Sequence, residues 1–187
     1  MNYSFFSLAF RQKYIRRWGL MRNTNPENLS EHSSETAMLT HALAVIGNEI
    51  FGKDYDVGRV TIAALFHDVP EVFTGDLPTP VKYFNEKMRE SYKDIENNAV
   101  LKLIEKLPPE LKDVYSEILN ETDLKLVKAA DKLCAYIKCI EEEKSGNSEF
   151  KTAKESLFKV ITEIDLPEVK YFIDNFLGPF YLTIDEM

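Results

Sequence analysis

The stretch VTIAALFHDVP, residues 60 to 70, constrains this chain more than any other. Its first seven residues are apolar nearly all round a helix, a pattern that places the helix at the centre of a fold. The next two, His67 and Asp68, are ionisable. Pro70 then removes a backbone donor and should stop the helix near Asp68 or Val69. Ionisable groups at the end of a buried helix each carry a desolvation penalty of roughly several kcal/mol unless they are paired or hold a cation. Capping and hydrogen bonds to neighbouring helices are one way to satisfy them. A metal ion is the other.

Helical periodicity dominates the rest of the chain, and runs of alternating β-branched residues are missing. A first helix is expected over about residues 3 to 15, followed by the irregular RRWGLMRNTNPEN. Ser30 can cap a long helix that closes at Gly52. Asp56 can cap the next, and after the TGDLPTPVKYF segment residues 86 to 106 read as a charged helix. PPELKDVYSEIL follows, then a long helix capped by Asp123 and ending before Gly146, then SEFKTAKESLFKVITEI. The aromatic tail reads as a last helix plus an extended stretch. The expectation is an all-α bundle of seven or eight helices, with residues 1 to 187 forming a single domain.

Composition supports one core. At 187 residues and 44% hydrophobic, the chain can bury roughly 70% of its unfolded surface without staples. A net charge of −8 argues against nucleic-acid polymers or an anionic membrane surface as partners. Arg11, Lys13, Arg16, Arg17 and Arg22 nevertheless make the first 26 residues purely basic, which is either a solvated face or the seat of an anion. Cys134 and Cys139 lie too far round one helix to pair well, so free buried thiols in a reducing compartment are expected. No apolar run approaches the roughly 20 residues of a membrane span, and the N-terminus lacks the features of a secretory signal. The cytoplasm is the expected location.

The chain has three histidines. His41 is nine residues from His32, half a turn round a helix, so the two cannot face one site. His32 sits in the first turn of its helix beside the irregular loop and is the better candidate. Asp131 lies on the flank of the stripe formed by Leu126, Val127, Ala130, Leu133, Cys134 and Ile137. An acid there wants a cation or a donor, and Lys128 and Lys132 point elsewhere round the helix. His32, His67, Asp68 and Asp131 together make two imidazoles and two carboxylates. That set suits a borderline divalent ion such as Mn, Co, Fe, Ni or Zn, with positions left open for water and substrate. Glu71, four residues beyond His67, is a candidate to handle a proton.

The order His, His-Asp, Asp resembles the HD superfamily of metal-dependent phosphohydrolases. RRWGLMRN, SEH, HDVPEVFTGDLPTPVKYFN and ADKLCAYIKC together resemble the bacterial 5'-deoxynucleotidases of the YfbR type, over nearly the whole chain. The resemblance implies a dimeric enzyme that removes phosphate from 2'-deoxynucleoside 5'-monophosphates, with little preference among bases, using cobalt or a similar divalent ion such as manganese. It implies that His32, His67, Asp68 and Asp131 hold the metal, with His32 and Asp68 also bordering the substrate. It further implies that Arg17 orients the phosphate and that Trp18 packs where a 2'-hydroxyl would crowd. Glu71 would handle a proton, and Asp76, Leu77, Pro78 and Thr79 would line the nucleotide site, with Asp76 a second acid near the leaving oxygen. Gly19 stands where the family often has proline, and Val69-Pro70 separate Asp68 from Glu71.

Other readings are weaker. A guanosine tetraphosphate hydrolase needs a second acid where this chain has Val72, and binuclear cyclic-nucleotide phosphodiesterases need further histidines. Deoxynucleoside triphosphohydrolases are usually far longer. A silent binding module would be expected to have lost a ligand or Glu71.

Overall fold

The computed structural model describes residues 2–82, 84–120 and 124–187. Its α-helical segments are α1 (Phe5–Ala9), α2 (Leu29–Phe51), α3 (Val57–Phe66), α4 (Glu71–Thr74), α5 (Thr79–Lys82), α6 (Glu86–Ile104), α7 (Pro109–Asn120), α8 (Lys125–Lys144), α9 (Lys151–Thr162) and α10 (Pro167–Phe176). Two of these, α4 and α5, are single turns. No strand occurs among the described residues, and the only β geometry there is an isolated bridge between Arg16 and Asn28. The protein is all-α, as the sequence pattern requires.

Several boundaries match the sequence. Gly52 closes α2 in the left-handed conformation (φ 61°), and the Asp56 side chain accepts from Arg59 N to start α3. Others differ for local reasons. The first helix does not run from 3 to 15 but tightens after Ala9 into a 3-10 segment, Phe10–Tyr14. Asn28, not Ser30, caps α2. Its Oδ1 accepts from Ser30 N and Glu31 N, and Glu31 Oε2 accepts from Asn28 N, a reciprocal box that outcompetes a lone serine. The α-helix α3 ends at Phe66, earlier than Pro70 alone dictates, and residues 67 to 70 continue as turns. The tail is not extended but folds into two 3-10 turns, Gly178–Tyr181 and Ile184–Glu186. The cap expected at Asp123 lies outside the described residues.

The main core forms where α2, α8 and α10 meet, around Leu43, Leu133, Ile140 and Phe172, with Ile161 of α9 closing it. A separate cluster of Ala37, Ala63, Ala64 and Val127 joins α2, α3 and α8. Side chains this small let three helices approach closely. Ala63 and Val127 each lie four residues before a candidate site residue, His67 and Asp131, on the same helix face. The seam therefore sets the spacing of the site one turn above it.

One expectation of burial fails. Val60, Ala63 and Ala64 are buried, but Ile62 and Leu65 are each 44% exposed. Helix α3 is covered by α2, α8 and α7, and its remaining side faces outward in the single chain. Met38 on neighbouring α2 is exposed as well.

Candidate metal and phosphate site

His67 follows α3 directly, and its ring is fixed by its own helix. Nδ1 lies 2.6 Å from the carbonyl of Ala64. A carbonyl only accepts, so Nδ1 carries the proton and the Nε2 lone pair is left free. That Nε2 is buried and has no hydrogen-bond partner among the described residues. It sits 3.2 Å from Asp68 Oδ1. His32 is completely buried in the first turn of α2, with Nε2 3.1 Å from Asp131 Oδ1 and 3.6 Å from Asp68 Oδ2. His32, His67 and Asp68 offer donor atoms that all lie within 4.8 Å of one another. An orphaned imidazole nitrogen among converging carboxylate oxygens fits a divalent cation, and Asp131 Oδ1 adjoins the group through its contact with His32.

Lys132 does not point away from Asp131. Its Nζ is 2.9 Å from Asp131 Oδ2, holding the oxygen that His32 does not face. Burial opposes ionisation of Asp131, but the His32 hydrogen bond and then Lys132 hold its carboxyl well below the usual range. His41 is exposed on the far side of α2, as the half-turn argument requires.

Arg17 is nearly buried and caged by acids. Its Nε donates to Glu27 Oε2 at 3.1 Å, and Nη1 is 3.5 Å from Asp68 Oδ2. Burial alone would lower its pKa, but the charges of Asp68 and Glu27 outweigh it and raise it. Trp18 is the one described residue other than glycine with positive φ, at 58°. A bulky residue in that region stores backbone strain of roughly 1–3 kcal/mol. Its indole donates to Glu27 Oε2 at 2.9 Å and packs on Phe150 at 5.2 Å between ring centroids.

Glu71 opens α4, with one carboxylate oxygen buried and unpartnered among the described residues. Burial, then the charges of Asp68 and Asp76, holds its carboxyl well above the ordinary value. Asp76 follows Gly75 (φ 72°). Burial raises its pKa too, against the opposing pull of Arg17. Two carboxyls with raised pKa thus lie beside the cluster, the direction in which groups used for general acid–base work are tuned.

Four of the residues described, Arg17, Trp18, Asp76 and Asp131, border a cavity of about 640 Å³. Arg17, Trp18, Asp131 and the segment Asp76, Leu77, Pro78, Thr79 line one end of it. Ala135 of α8 and Ala153, Leu157 and Val160 of α9 give the other end an apolar wall. The sequence did not single out that wall, whose residues read as ordinary helix surface.

The irregular segment that carries Arg17 and Trp18 is fastened from behind. Glu142 of α8 accepts from Thr24 N (2.8 Å), Asn25 N (3.0 Å), Asn147 Nδ2 (2.7 Å) and Lys138 Nζ (2.5 Å), and Lys138 also donates to the carbonyl of Asn25. Glu142 is 1% exposed. Burial alone would raise its pKa, but these donors bring it from 4.5 down to about 2. A depressed carboxylate stabilises the fold above its unfolded value, and that contribution is lost as pH falls from about 4.5 towards 2. The shift corresponds to ~3 kcal/mol. Thermal unfolding followed from pH 6 to pH 3 should therefore show Glu142→Gln less stable than wild type at pH 6, with the difference shrinking on acidification. A constant difference would mean that Glu142 is not held ionised.

A family model described as 5'-deoxynucleotidase YfbR-like matches residues 4–180. A 5'-deoxynucleotidase of Cronobacter sakazakii is 47% identical over 98% of this chain and 94% of the relative. 5'-deoxynucleotidase YfbR of Escherichia coli is 45% identical with the same coverage. Among solved structures, an HD-domain phosphohydrolase from Listeria innocua superposes with a TM-score of 0.84 at 23% identity, covering 95% of this chain and 88% of its own. A cyanophage S-2L HD phosphohydrolase, DatZ, bound to dA and one catalytic Zn²⁺, has a TM-score of 0.63 at 23% identity, covering 97% and 96%. At those identities the two structures establish the shared fold.

Proposed function

The chain belongs to the YfbR-like family of 5'-deoxynucleotidases, and on that premise we propose that it hydrolyses 2'-deoxynucleoside 5'-monophosphates, largely regardless of base, while rejecting ribonucleotides. The observation that carries the reading is the buried, unpartnered Nε2 of His67 beside Asp68, with the caged Arg17 guanidinium that contacts Asp68 lining a nucleotide-sized cavity.

His32, His67, Asp68 and Asp131 would hold one divalent ion, cobalt first, with manganese or another transition metal as the alternatives. Such a cation supplies Lewis acidity toward the phosphoryl group and makes a nearby water more acidic. The remaining steps belong to the chain. Arg17, oriented by Glu27 and Asp68, offers its free N–H groups to phosphate oxygens. Glu71 and Asp76 hold and move the protons of the attacking water and the departing 5'-oxygen. Leu77, Pro78 and Thr79 border the nucleotide, and Trp18 packs against the sugar where a 2'-hydroxyl would intrude. The apolar wall of α8 and α9 supports breadth in base, since it makes few demands on hydrogen-bonding pattern.

We read the active form as a cytoplasmic homodimer made of one domain per chain. The free, buried Cys134 and Cys139 suit a reducing compartment, and exposed Ile62 and Leu65 offer apolar surface to a second copy. No helix among the described residues is long and apolar enough to cross a membrane.

Phosphate release from deoxyadenylate, deoxycytidylate and adenylate tests this, run after chelation and again with cobalt or manganese restored. Metal-dependent release from both deoxynucleotides and not from adenylate is expected. Trp18→Ala should bring adenylate turnover to within about tenfold of deoxyadenylate, because a pocket that excludes by shape discriminates only modestly once opened. Equal wild-type turnover of deoxyadenylate and adenylate would remove the role given to Trp18. Release of pyrophosphate or triphosphate from longer nucleotides, with none from monophosphates, would replace the substrate class.

A further inference from the structure

The segment between Tyr14 and α2 holds one acidic side chain, Glu27, and the sequence offered no reason to single it out. It is 8% exposed. Oε2 accepts from both Arg17 Nε (3.1 Å) and Trp18 Nε1 (2.9 Å). The same residue's carbonyl accepts from Arg17 N at 3.0 Å. The other oxygen, Oε1, lies 3.7 Å from His32 Nδ1. One carboxylate therefore stands behind three side chains with different duties.

Simple neutralisation of Arg17 does not account for this arrangement. Asp68, Asp131 and Asp76 already place negative charge around that guanidinium. Oε2 is committed to two N–H groups, which leaves Oε1 turned toward His32. The Nδ1 of His32 is buried and has no hydrogen-bond partner among the described residues, so Glu27 Oε1 at 3.7 Å stands as a charge behind the ring. A carboxylate behind an imidazole fixes the ring's orientation and makes the opposite nitrogen a better donor. Trp18 has its own need for an anchor. Its left-handed backbone gives the indole no relaxed default, and the Glu27 hydrogen bond and the Phe150 ring hold the side chain.

We propose that Glu27 is a positioning residue for sugar selectivity, holding the Trp18 indole, the Arg17 guanidinium and the back of the His32 imidazole in one register. This rests on the reading of Trp18 given above. Loosening Glu27 lets the indole swing, so the 2' position is no longer guarded, and the same change weakens the hold of His32 on a cation. The deoxy-to-ribo ratio and the affinity for metal are thereby linked through one carboxylate that touches neither substrate nor ion.

Trp18 is the only tryptophan in the chain, so fluorescence excited at the red edge of the indole band, beyond tyrosine absorption, reports on it alone. The test uses full-length Glu27→Gln and Glu27→Asp beside wild type. In the metal-free proteins, emission maximum and acrylamide quenching are measured, then cobalt affinity by titration, and finally KM and kcat for deoxyadenylate and adenylate in the loaded enzymes. Glu27→Gln keeps the shape of the side chain but offers only one accepting oxygen. It should shift Trp18 emission to the red, raise quenching, and lower the deoxy-to-ribo ratio in kcat/KM about tenfold or more. Cobalt affinity should fall by roughly 10-fold to 100-fold. Glu27→Asp keeps the charge but retracts it by one methylene, and should move emission and ratio in the same direction. It carries the test if the glutamine variant fails to fold.

Unchanged emission and an unchanged deoxy-to-ribo ratio, with only a lower melting temperature, would overturn the proposal and leave Glu27 a structural ion pair. A wild type without deoxy preference would overturn the selectivity role, and that failure is visible before any Glu27 variant is made. The positioning of Trp18 and His32 is then decided by emission and cobalt titration alone, an unshifted spectrum and unaltered affinity counting against it.

Discussion

His67→Ala should reduce metal-dependent phosphate release by three orders of magnitude or more. Its Nε2 is the best-defined donor of the cluster, because Ala64 fixes its tautomer and no described residue hydrogen-bonds to it. Losing about 4 kcal/mol of transition-state stabilisation corresponds to that factor, and Lewis-acid stabilisation is worth several kcal/mol. A second readout is independent of turnover. A ligand that binds only the folded state at 100 times its Kd adds about 2.7 kcal/mol to stability. Cobalt should raise the melting temperature of wild type and leave His67→Ala unmoved. If the variant still gained stability from cobalt as wild type does, His67 would not be a ligand, whatever its activity.

Glu71→Gln should lower kcat by roughly 10² to 10⁴, the usual value of a positioned acid or base, with little effect on KM. The same substitution should make the metal-free protein more stable at neutral pH. The sign follows from burial and the nearby charges of Asp68 and Asp76, which raise the carboxyl well above its ordinary value. A group raised in this way is harder to ionise when folded than when unfolded. Wild-type stability therefore falls as pH rises above about 4.5, until the folded-state value is passed, and glutamine escapes that loss. Turnover within a few-fold of wild type would sink the proton-handling role. A stability loss at pH 7 would instead mean that the carboxylate is held ionised by a partner.

How much of this could be read in advance differs residue by residue. His67 and Asp68 stood out because an apolar helix ended on them, and His32 was separated from His41 by helix geometry alone. Gly52 and Asp56 marked their boundaries through backbone conformation and capping, which are local. Asn28 is equally local, but Ser30 two residues on is as good a cap by residue type, and the reciprocal bond from Glu31 is what decides between them. Glu27 was beyond such reasoning. It sits in a segment without periodicity, and its partners are nine and ten residues back and five ahead. Lys132 was misread because adjacent residues point about 100° apart on a helix, yet a long flexible side chain can curl back to its neighbour. The left-handed Trp18 ran against its own propensity, and only surrounding contacts sustain it.

The early end of α3 at Phe66 has an electrical consequence. A helix carries roughly half a negative charge at its carboxyl terminus, and in this protein that terminus abuts His67 and Asp68. Part of the proposed site's pull on a cation would thus come from peptide carbonyls, which neither titrate nor disappear on substitution of a side chain. Neutralising one carboxylate should leave a residual attraction for divalent ions. Only a change that unwinds the last turn of α3 would remove it.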